Sequence, residues 1–443
     1  MIFTIINFHF ALFAGFYSLL TTKTKLFATL MITGVARHNS SKLGSALAST
    51  VIHYTQTTLL FNANNLLKSI SAHHEAFKFI IVTSIKYIKL LRVYIALILS
   101  VLLTSCMEWD YGYEEPFKVS DSGLFVLNEG NFQYGNASLS FYDPAEDSIY
   151  NEVFFRANAM KLGDVAQSMT IHNGIGWIVV NNSHVVFAID TETFKEVGRI
   201  TNLTSPRYIH FVSDTKAYIT QLWDNRIFIV NPKRYEITGY IQVPNMTMES
   251  GSTEQMVQKG KYVYVNCWSY QNRIIKIDTE TDKVVAELEV GIQPTSVVLD
   301  AEGKLWTITD GGYDGSPYGS EVPYLYCINP ETMTVEREYP FEYGDSPSEL
   351  QLSGDGRTLY WINNSIWQMP IESDFLPEKP FLEDRGTIYY GLTVCPKTSD
   401  VYVADAIDYV QQGKIYRYDA SGFLVSEFYA GIIPGAFSWK YEK

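Results

Sequence analysis

Two sets of polar residues recur at regular intervals in the second part of this chain, and both are candidates for ligand chemistry. The first set is varied and comprises Gln167, Arg207, Glu254, Thr295, Ser348, Tyr390 and Gly435. The second set is uniform and comprises Asn128, Asn181, Gln221, Asn266, Asp310, Asn363 and Asp405. Amides and carboxylates exchange hydrogen bonds with polar ligands, but Asn and Asp also stabilise turns by accepting backbone N–H groups. Both roles remain open for the second set.

Aromatic residues are concentrated in the loops that follow the second set. Four of these loops are long, at 129–136, 267–272, 311–324 and 406–413. The aromatic residues in these loops, together with one in a shorter loop, are Phe132, Tyr134, Trp223, Trp268, Tyr270, Tyr313, Tyr318 and Tyr409. Aromatic faces beside amides suit a flat or multi-ringed polar ligand, which gains stacking area while its edges find partners. The alternative is that several of these rings simply cover a channel.

No catalytic arrangement stands out. After Cys106 the histidines are His172, His184 and His210. No Ser has a His and an Asp at a known motif spacing, and we therefore expect a binding protein, not an enzyme, with no resident cofactor. The residues that could together hold Ca²⁺ through carboxylate oxygens are Asp310, Asp314, Glu321 and Asp405. Their spacing matches no calcium-loop signature, so a Ca²⁺-dependent, lactonase-like hydrolase is kept only as an alternative.

The elements that position these residues form a repeat. Aligned on the starts of their first strands, seven copies begin at Ala166, Pro206, Thr253, Pro294, Pro347, Tyr389 and Pro434. The intervals are 40, 47, 41, 53, 42 and 45 residues, close to the roughly 40–45 residues of a four-stranded propeller blade. An apolar residue follows three positions later in every copy: Met169, Ile209, Met256, Val297, Leu350, Leu392 and Phe437.

The two ends of the repeat region are complementary. Segments 124–128, 137–142 and 149–155 predict a second, third and fourth strand without an inner one, whereas 435–439 predicts an inner strand with nothing after it. The C-terminal strand therefore completes the N-terminal blade and closes the ring. We predict an all-β, seven-bladed β-propeller over 123–443. The varied and uniform sets then lie on one face around the channel, here called the mouth.

The N-terminal part differs in charge and pattern. Residues 1–105 contain one acidic residue and nine Lys or Arg, while the remainder has 47 acidic and 25 basic residues. Such acidity argues against a nucleic-acid partner, because Lys and Arg supply phosphate contacts. A basic flank, an apolar run at 93–102 and Leu-Thr-Ser-Cys predict a lipoprotein signal over 86–105. We expect lipidation at Cys106 and an acidic tether over 106–122.

Residues 1–85 precede this signal. We expect them to be a non-native or disordered extension, with translation beginning near Ile85-Lys86. The alternative is an additional membrane anchor at 1–20, which is apolar but has no basic flank. Three further cysteines are widely spaced at 267, 327 and 395 and indicate neither a disulfide framework nor a zinc site.

The chain resembles the YncE-like propeller lipoproteins of Gram-negative gut-type bacteria. The segments that carry the resemblance are LFVLNEGNF (124–132), DVAQSMTIHNG (164–174), SPRYIHFVSDTKAYIT (205–220), VNCWSYQNRIIKIDTETDKVV (265–285), LWTITDGGYDGSPYG (305–319) and RGTIYYGLTV (385–394). This group includes BtuG-type surface proteins, which bind cobalamin. The resemblance implies an outer-membrane, surface-exposed lipoprotein that binds a corrinoid and passes it to a TonB-dependent transporter, held to the membrane by its lipid alone. A protein-interaction propeller without a small ligand remains the other alternative.

Overall fold

The chain forms a closed ring of seven antiparallel sheets, and the predicted all-β, seven-bladed propeller is confirmed. The computed structural model describes residues 119–441. The predicted extension at 1–85, the signal segment, the lipidated Cys106 and most of the tether lie outside the described residues. Blade 1 has the strand order β27-β1-β2-β3, blades 2 to 7 follow along the chain from β4 to β26, and blade 6 alone has three strands.

The strands follow the repeat closely. In chain order they are β1 (Gly123–Asn128), β2 (Ser138–Asp143), β3 (Ser148–Tyr150), β4 (Ala166–His172), β5 (Ile175–Val180), β6 (Val185–Asp190), β7 (Glu196–Ile200), β8 (Pro206–Ser213), β9 (Lys216–Gln221), β10 (Arg226–Asn231), β11 (Glu236–Gln242), β12 (Met256–Lys259), β13 (Tyr262–Cys267) and β14 (Arg273–Asp278). The remaining strands are β15 (Lys283–Glu289), β16 (Pro294–Leu299), β17 (Leu305–Thr309), β18 (Tyr324–Asn329), β19 (Thr334–Pro340), β20 (Ser348–Leu352), β21 (Thr358–Asn363), β22 (Ser365–Pro370), β23 (Tyr389–Val394), β24 (Val401–Asp405), β25 (Gln412–Tyr418), β26 (Leu424–Ile432) and β27 (Pro434–Lys440).

Each blade buries both of its faces, one against each neighbour. In β5, Trp177 and Val179 pack into the core shared with blade 3, while Ile178 and Val180 pack into the core shared with blade 1. Successive side chains of a strand point to opposite faces, so these middle strands must be apolar at every position. Seven such cores lie between the seven pairs of neighbouring blades. The ring is therefore held together by its blade interfaces.

The last strand closes the ring as predicted. β27 pairs antiparallel with β1, with Val126 opposite Phe437 and Gly123 opposite Lys440. The Lys440 side chain is buried, and its Nζ donates to the backbone oxygen of Ser120 at 3.1 Å and to a carboxylate oxygen of Glu192 in blade 2 at 2.8 Å. One ammonium group thus joins the first described residues, the closing strand and the neighbouring blade.

The predicted strand at 149–155 is wrong beyond Tyr150. Its apolar second half forms a short helix, α1 (Val153–Asn158), which packs Val153 and Phe154 into the core between blades 1 and 2. Asn158 fixes this helix to blade 2, since its Nδ2 donates to a backbone carbonyl at 3.0 Å and its Oδ1 accepts a backbone N–H at 2.8 Å. The apolar composition of this segment correctly predicted that it is buried. Packing between blades 1 and 2 favours a helix there and not the predicted strand. No helix within residues 119–441 combines the length and apolar character needed to cross a membrane.

Blade 6 replaces its outer strand with the proline-containing segment 371–388. Ile366 of β22 pairs with Leu382 of this segment in an isolated bridge. Pro377 and Pro380 lie within the segment, and proline cannot donate a ladder hydrogen bond. The segment therefore covers the edge of β22 without extending the sheet.

Lys440→Met should weaken ring closure. The substitution keeps most of the apolar stem but removes a buried charged donor from the half-buried Ser120 carbonyl and the exposed Glu192 carboxylate, so we expect the free energy of unfolding to fall by about 1–3 kcal/mol. Urea unfolding monitored by tryptophan fluorescence measures the loss. Lys233→Met is the matched control, because Lys233 lies 3.9 Å from Asp214 in an exposed pair, which contributes little. Equal losses in both variants would contradict the role assigned to Lys440.

Candidate functional site

At the mouth end of most inner strands, the register of pairing with the next strand shifts by one residue. In blade 2, Ala166 pairs with Val180 and Ser168 pairs with Val179, so Gln167 is an extra residue without a cross-strand partner. The same shift occurs at the mouth ends of β8, β16, β20, β23 and β27. Such β-bulges redirect a side chain and are common beside binding sites. The extra residue is a member of the varied set at Gln167, Thr295, Tyr390 and Gly435. In β20, by contrast, Ser348 stays paired with Ile362 and the extra residue follows it.

Three residues of the varied set form one hydrogen-bonded group that joins blades 2, 3 and 4. Arg207 Nε lies 2.9 Å from both carboxylate oxygens of Glu254, and a terminal nitrogen of Arg207 donates to Gln167. Glu254 is 3% exposed and also accepts the Ser252 hydroxyl at 3.0 Å. The Arg207 guanidinium lies 5.8 Å from the ring centre of Trp268. Four predicted site residues therefore meet here, since Trp268 is also one of them.

A second polar group lies where blades 6, 7 and 1 approach the channel axis. The Tyr390 hydroxyl donates to Glu129 at 2.5 Å. Burial raises the pKa of Glu129, although the Tyr390 hydrogen bond and the Arg207 charge oppose the rise. Burial, with a further contribution from the Glu129 charge, raises the pKa of Glu349 to about 8. Within the described part of the chain, the Glu349 carboxyl has no hydrogen-bond partner.

The sequence pattern did not single out Glu349 or Glu129 as site residues. Glu349 stands one position after the varied set, and it is the only charged residue at that position in the seven copies, which is the signal that could have found it. It has a left-handed φ of 55°, a conformation that costs a non-glycine residue about 1–3 kcal/mol and that is frequent at functional sites. Glu129 opens the first long loop and Gln293 lies just before β16.

The aromatic residues of blades 3, 4 and 5 form a continuous arc at the mouth. The rings of Trp223 and Tyr270 lie 6.4 Å apart, and those of Tyr270 and Tyr318 stack at 4.3 Å. Trp223, Tyr313 and Tyr318 are 44%, 55% and 50% exposed. The Tyr313 and Tyr270 hydroxyls interact, and the resulting charge effect raises the pKa of Tyr270. All four are predicted site residues, and we call them the first arc.

Blades 7 and 1 contribute a second arc, formed by Tyr390, Tyr409, Phe132 and Tyr134. The rings of Tyr390 and Tyr409 lie 5.8 Å apart and nearly perpendicular. The Asn131 side chain donates to the Tyr409 carbonyl, which joins the two loops. Phe132 and Tyr134 are largely exposed, and Tyr409 is 42% exposed. In a ring of seven blades, blades 7 and 1 lie opposite blade 4, so the two arcs face each other across the channel.

The uniform set is bound largely to the backbone. Asn181 Nδ2 donates to the Pro206 carbonyl at 3.0 Å, and Asn266 Nδ2 donates to the Pro294 carbonyl at 2.7 Å, each on the following blade. Asp405 accepts the N–H of Ile407 at 2.8 Å, as in an Asx turn. Two fully buried atoms of this set, Gln221 Nε2 and Asn266 Oδ1, lack a protein partner. The Asp405 hydrogen bond is of the predicted turn-stabilising kind. Asn181 and Asn266 instead join neighbouring blades, a role that the sequence did not predict.

The carboxylates considered for Ca²⁺ do not converge. Asp310 accepts from Trp268 Nε1 at 3.2 Å and from Gln293 Nε2 at 2.9 Å, and burial raises its pKa. Asp314 accepts the Ser320 hydroxyl at 2.8 Å, and Glu321 accepts a backbone N–H. Within residues 119–441, no group of three or more His, Cys, Asp or Glu is placed to hold a metal ion. The calcium alternative therefore has no donor set in this region.

Below the mouth, the channel contains a cavity of about 320 Å³ between inner strands of blades 2 to 6. His210 lines it and exchanges a hydrogen bond of 2.9 Å with Gln258, and burial lowers the pKa of His210. Pockets for drug-sized ligands span about 300–1,000 Å³. The cavity lies at the low end of that range, so a larger ligand would have to rest on the mouth.

Glu349→Gln should change the pH dependence of stability. Between the unfolded pKa near 4.5 and the folded pKa of about 8, the folded protein keeps a proton that the unfolded chain has lost, so this carboxyl lowers stability as pH rises. Glutamine cannot ionise, and we expect the variant's Tm to exceed that of the parent by about 2 °C or more at pH 8.5, with a smaller difference at pH 5. Thermal unfolding followed by circular dichroism measures both. The control is Glu280→Gln, an exposed position on the opposite face; a pH-independent Tm difference for Glu349→Gln would contradict the assignment.

Known proteins share this fold at low sequence identity. A quinonprotein alcohol dehydrogenase-like protein from Bacteroides thetaiotaomicron matches with a TM-score of 0.56 and 15% identity, covering 72% of this chain and 78% of that chain. The periplasmic gluconolactonase of Pseudomonas aeruginosa matches with a TM-score of 0.53 and 13% identity, covering 73% of this chain and 99% of that chain. At these identities the likeness shows the propeller fold alone. No curated protein sequence matches the chain.

A family model gives a more specific assignment. Residues 122–430 match the family described as a domain of unknown function, DUF5074. The match begins just before β1 and ends within β26, so it spans nearly the whole ring. The chain belongs to the DUF5074 family.

Proposed function

We propose that this protein is a cell-surface lipoprotein that binds a corrinoid of the cobalamin type at the propeller mouth. It would hand the ligand to a TonB-dependent outer-membrane transporter. The observation that carries the proposal is the pair of exposed aromatic arcs facing each other across the channel. A corrinoid is large and flat and carries amide side chains around its ring. Aromatic faces that flank polar groups suit such a ligand.

The polar groups at the mouth are already paired with one another, and this supports ligand binding as the role of the mouth. Arg207 and Glu254 neutralise each other, and Tyr390 is committed to Glu129. The exposed aromatic faces, not these paired groups, are the surface available to a ligand. The mouth is also built on a closed ring of packed blades, and a preformed site lowers the ordering cost of binding.

The location belongs to the same proposal. The apolar run, the Leu-Thr-Ser-Cys sequence and the acidic residues after Cys106 favour a lipid anchor on the outer membrane. A tether over 106–122 would hold the propeller close to a membrane-embedded transporter. The resemblance to YncE-like lipoproteins, and within them to BtuG-type proteins, supports the corrinoid and the transporter as partners.

Titration of cobalamin and of cobinamide tests the proposal directly. We expect both to bind the protein with micromolar or tighter affinity, measured by isothermal calorimetry and supported by a rise in Tm that increases with ligand concentration. Absence of heat and of a Tm shift with both corrinoids would overturn the proposal. Capture of a partner chain by the same preparation would then favour the protein-interaction alternative, and chelator-sensitive hydrolysis of a lactone would favour the hydrolase.

Tyr318→Ala should weaken corrinoid binding by about 1–3 kcal/mol, because Tyr318 is half exposed and stacked on Tyr270, as expected for an aromatic anchor. Competition titration of the variant against the parent protein measures the change. Tyr240→Ala is the matched control, since Tyr240 is 57% exposed on the strand β11, away from the mouth. Unchanged affinity in Tyr318→Ala, with binding intact in the parent, would move the site away from the first arc.

A further inference from the structure

One carboxylate joins the two loops that carry most of the first arc. Asp310 directly follows β17 in blade 5. It accepts the indole N–H of Trp268, in the long loop of blade 4, at 3.2 Å. It also accepts the backbone N–H of Gly312, in the long loop of blade 5, at 2.8 Å. The first of these loops carries Tyr270 and the second carries Tyr318, so Asp310 binds both.

Gln293 extends this network to the backbone beside Tyr270. Its Nε2 donates to both carboxylate oxygens of Asp310, at 2.9 and 3.0 Å. Its backbone N–H donates to the carbonyl of Gln271 at 2.8 Å, and its side-chain oxygen accepts the backbone N–H of Tyr270 at 3.4 Å. Gln293 is buried. The part of the blade 4 loop that carries the Tyr270 ring is therefore held by a side chain that Asp310 itself fixes.

The order of the first arc depends on how these loops lie against each other. Tyr270 is the middle ring of the arc, 4.3 Å from Tyr318 and 6.4 Å from Trp223. Tyr270 and Tyr318 belong to different blades, and their rings are inclined by only 26°. Contacts between stacked atoms weaken steeply as the atoms separate, so a small displacement of either loop would end this stacking.

The chemistry around Asp310 requires a carboxylate. Gly312 donates to Oδ1, Trp268 donates to Oδ2, and Gln293 Nε2 donates to both oxygens. An ionised carboxylate is acceptor-only, whereas an Asn side chain has one acceptor oxygen and an NH₂ group that only donates. In either orientation of the amide, an Asn here would turn its NH₂ toward one of the two N–H groups. Asp310→Asn therefore keeps the size of the side chain and breaks the junction between the loops.

We propose that Asp310 is a positioning residue for ligand binding at the mouth, holding the loops of blades 4 and 5 together so that Tyr270 and Tyr318 stay stacked. Its oxygens are already occupied by donors of the protein, so it acts through the loops and not by touching the ligand. The inference rests on the proposed function only in placing a ligand on the first arc. Long loops that were free to move would have to be ordered on binding, at a cost to affinity.

Two measurements on the full chain test the proposal. The first needs no ligand: nuclear Overhauser effects (NOEs) between tyrosine rings report the stacking of Tyr270 on Tyr318, with Tyr318→Ala used to assign the signal. We expect Asp310→Asn to lose this NOE. The second is calorimetric titration with cobalamin, for which we expect Asp310→Asn to lose about tenfold or more in affinity. An unchanged NOE or an unchanged affinity in this variant would overturn the proposal.

Asp300 provides a matched control at the opposite end of the blade. It is buried and accepts the indole N–H of Trp306 at 2.7 Å, together with the backbone N–H groups of Glu302 and Lys304 at 2.9 and 2.8 Å. Asp300 follows β16 at the end away from the mouth. Asp300→Asn thus creates the same conflict between donors, and it should lower the Tm without changing the NOE or the affinity. Equal losses of affinity in Asp300→Asn and Asp310→Asn would reduce the effect to general destabilisation and overturn the proposal.

A second substitution should relieve the conflict at Asp310→Asn. Phenylalanine has no N–H, so in the double variant with Trp268→Phe the Asn NH₂ can occupy the Oδ2 position. We expect the double variant to regain the NOE and to bind cobalamin no more weakly than Asp310→Asn alone. Independent effects would instead multiply the two single losses, and that result would overturn the assignment. If Asp310→Asn is not recovered folded, Gln293→Met replaces it, because it removes the donor that joins Asp310 to the blade 4 loop, and it should lose the NOE as well.

The two measurements separate this inference from the proposed function. A parent protein that does not bind cobalamin overturns the proposed function, while loss of the NOE in Asp310→Asn still supports the positioning of the arc. A parent protein that binds cobalamin, with NOE and affinity both retained in Asp310→Asn, leaves the proposed function standing and overturns the role of Asp310. Loss of affinity with the NOE retained would assign Asp310 to direct ligand contact, which also overturns the positioning role.

Discussion

The two-sided burial of every blade is the constraint on which the rest of the structure depends. A blade has no solvent face along its middle strands, so Trp177, Ile178, Val179 and Val180 must all be apolar although they alternate between two cores. A sheet of this kind cannot be stable alone, and stability comes from completing the ring. Function is consequently confined to places where the pairing ends or breaks: the bulges, the strand ends and the loops at the mouth.

The same constraint explains why the bulges carry the polar chemistry. A regular inner strand would hold each side chain in register with the next strand, and its residues would be selected for packing. One extra residue in six of the seven blades frees a position without disturbing the apolar residues that follow, such as Ile209 in blade 3 and Leu350 in blade 6. Arg207, Tyr390 and Glu349 differ in size and charge, yet the strands that carry them share the same shift.

Sequence alone predicted the ring, the number of blades and the closing strand, because all three follow from spacing and apolar periodicity. It failed where tertiary packing overrode composition: Val153 and Phe154 read as part of a strand but enter the core from a helix. The sequence predicted aromatic residues at the mouth, because they lie in its loops. It could not predict how the rings stack, since ring distances depend on loop conformation. Glu349 was missed because its one sign, a charge at that position in a single copy, is visible only when the seven copies are compared and not within one blade.

Ring closure by β27 also fixes the order of events during synthesis. Blade 1 receives its first-made strands, β1 and β2, long before its inner strand exists, so Phe125 and Phe141 lack part of their cover until residues near 440 have emerged. A truncation just before β27 would leave strands of all seven blades present, with blade 1 lacking its inner strand and the ring open.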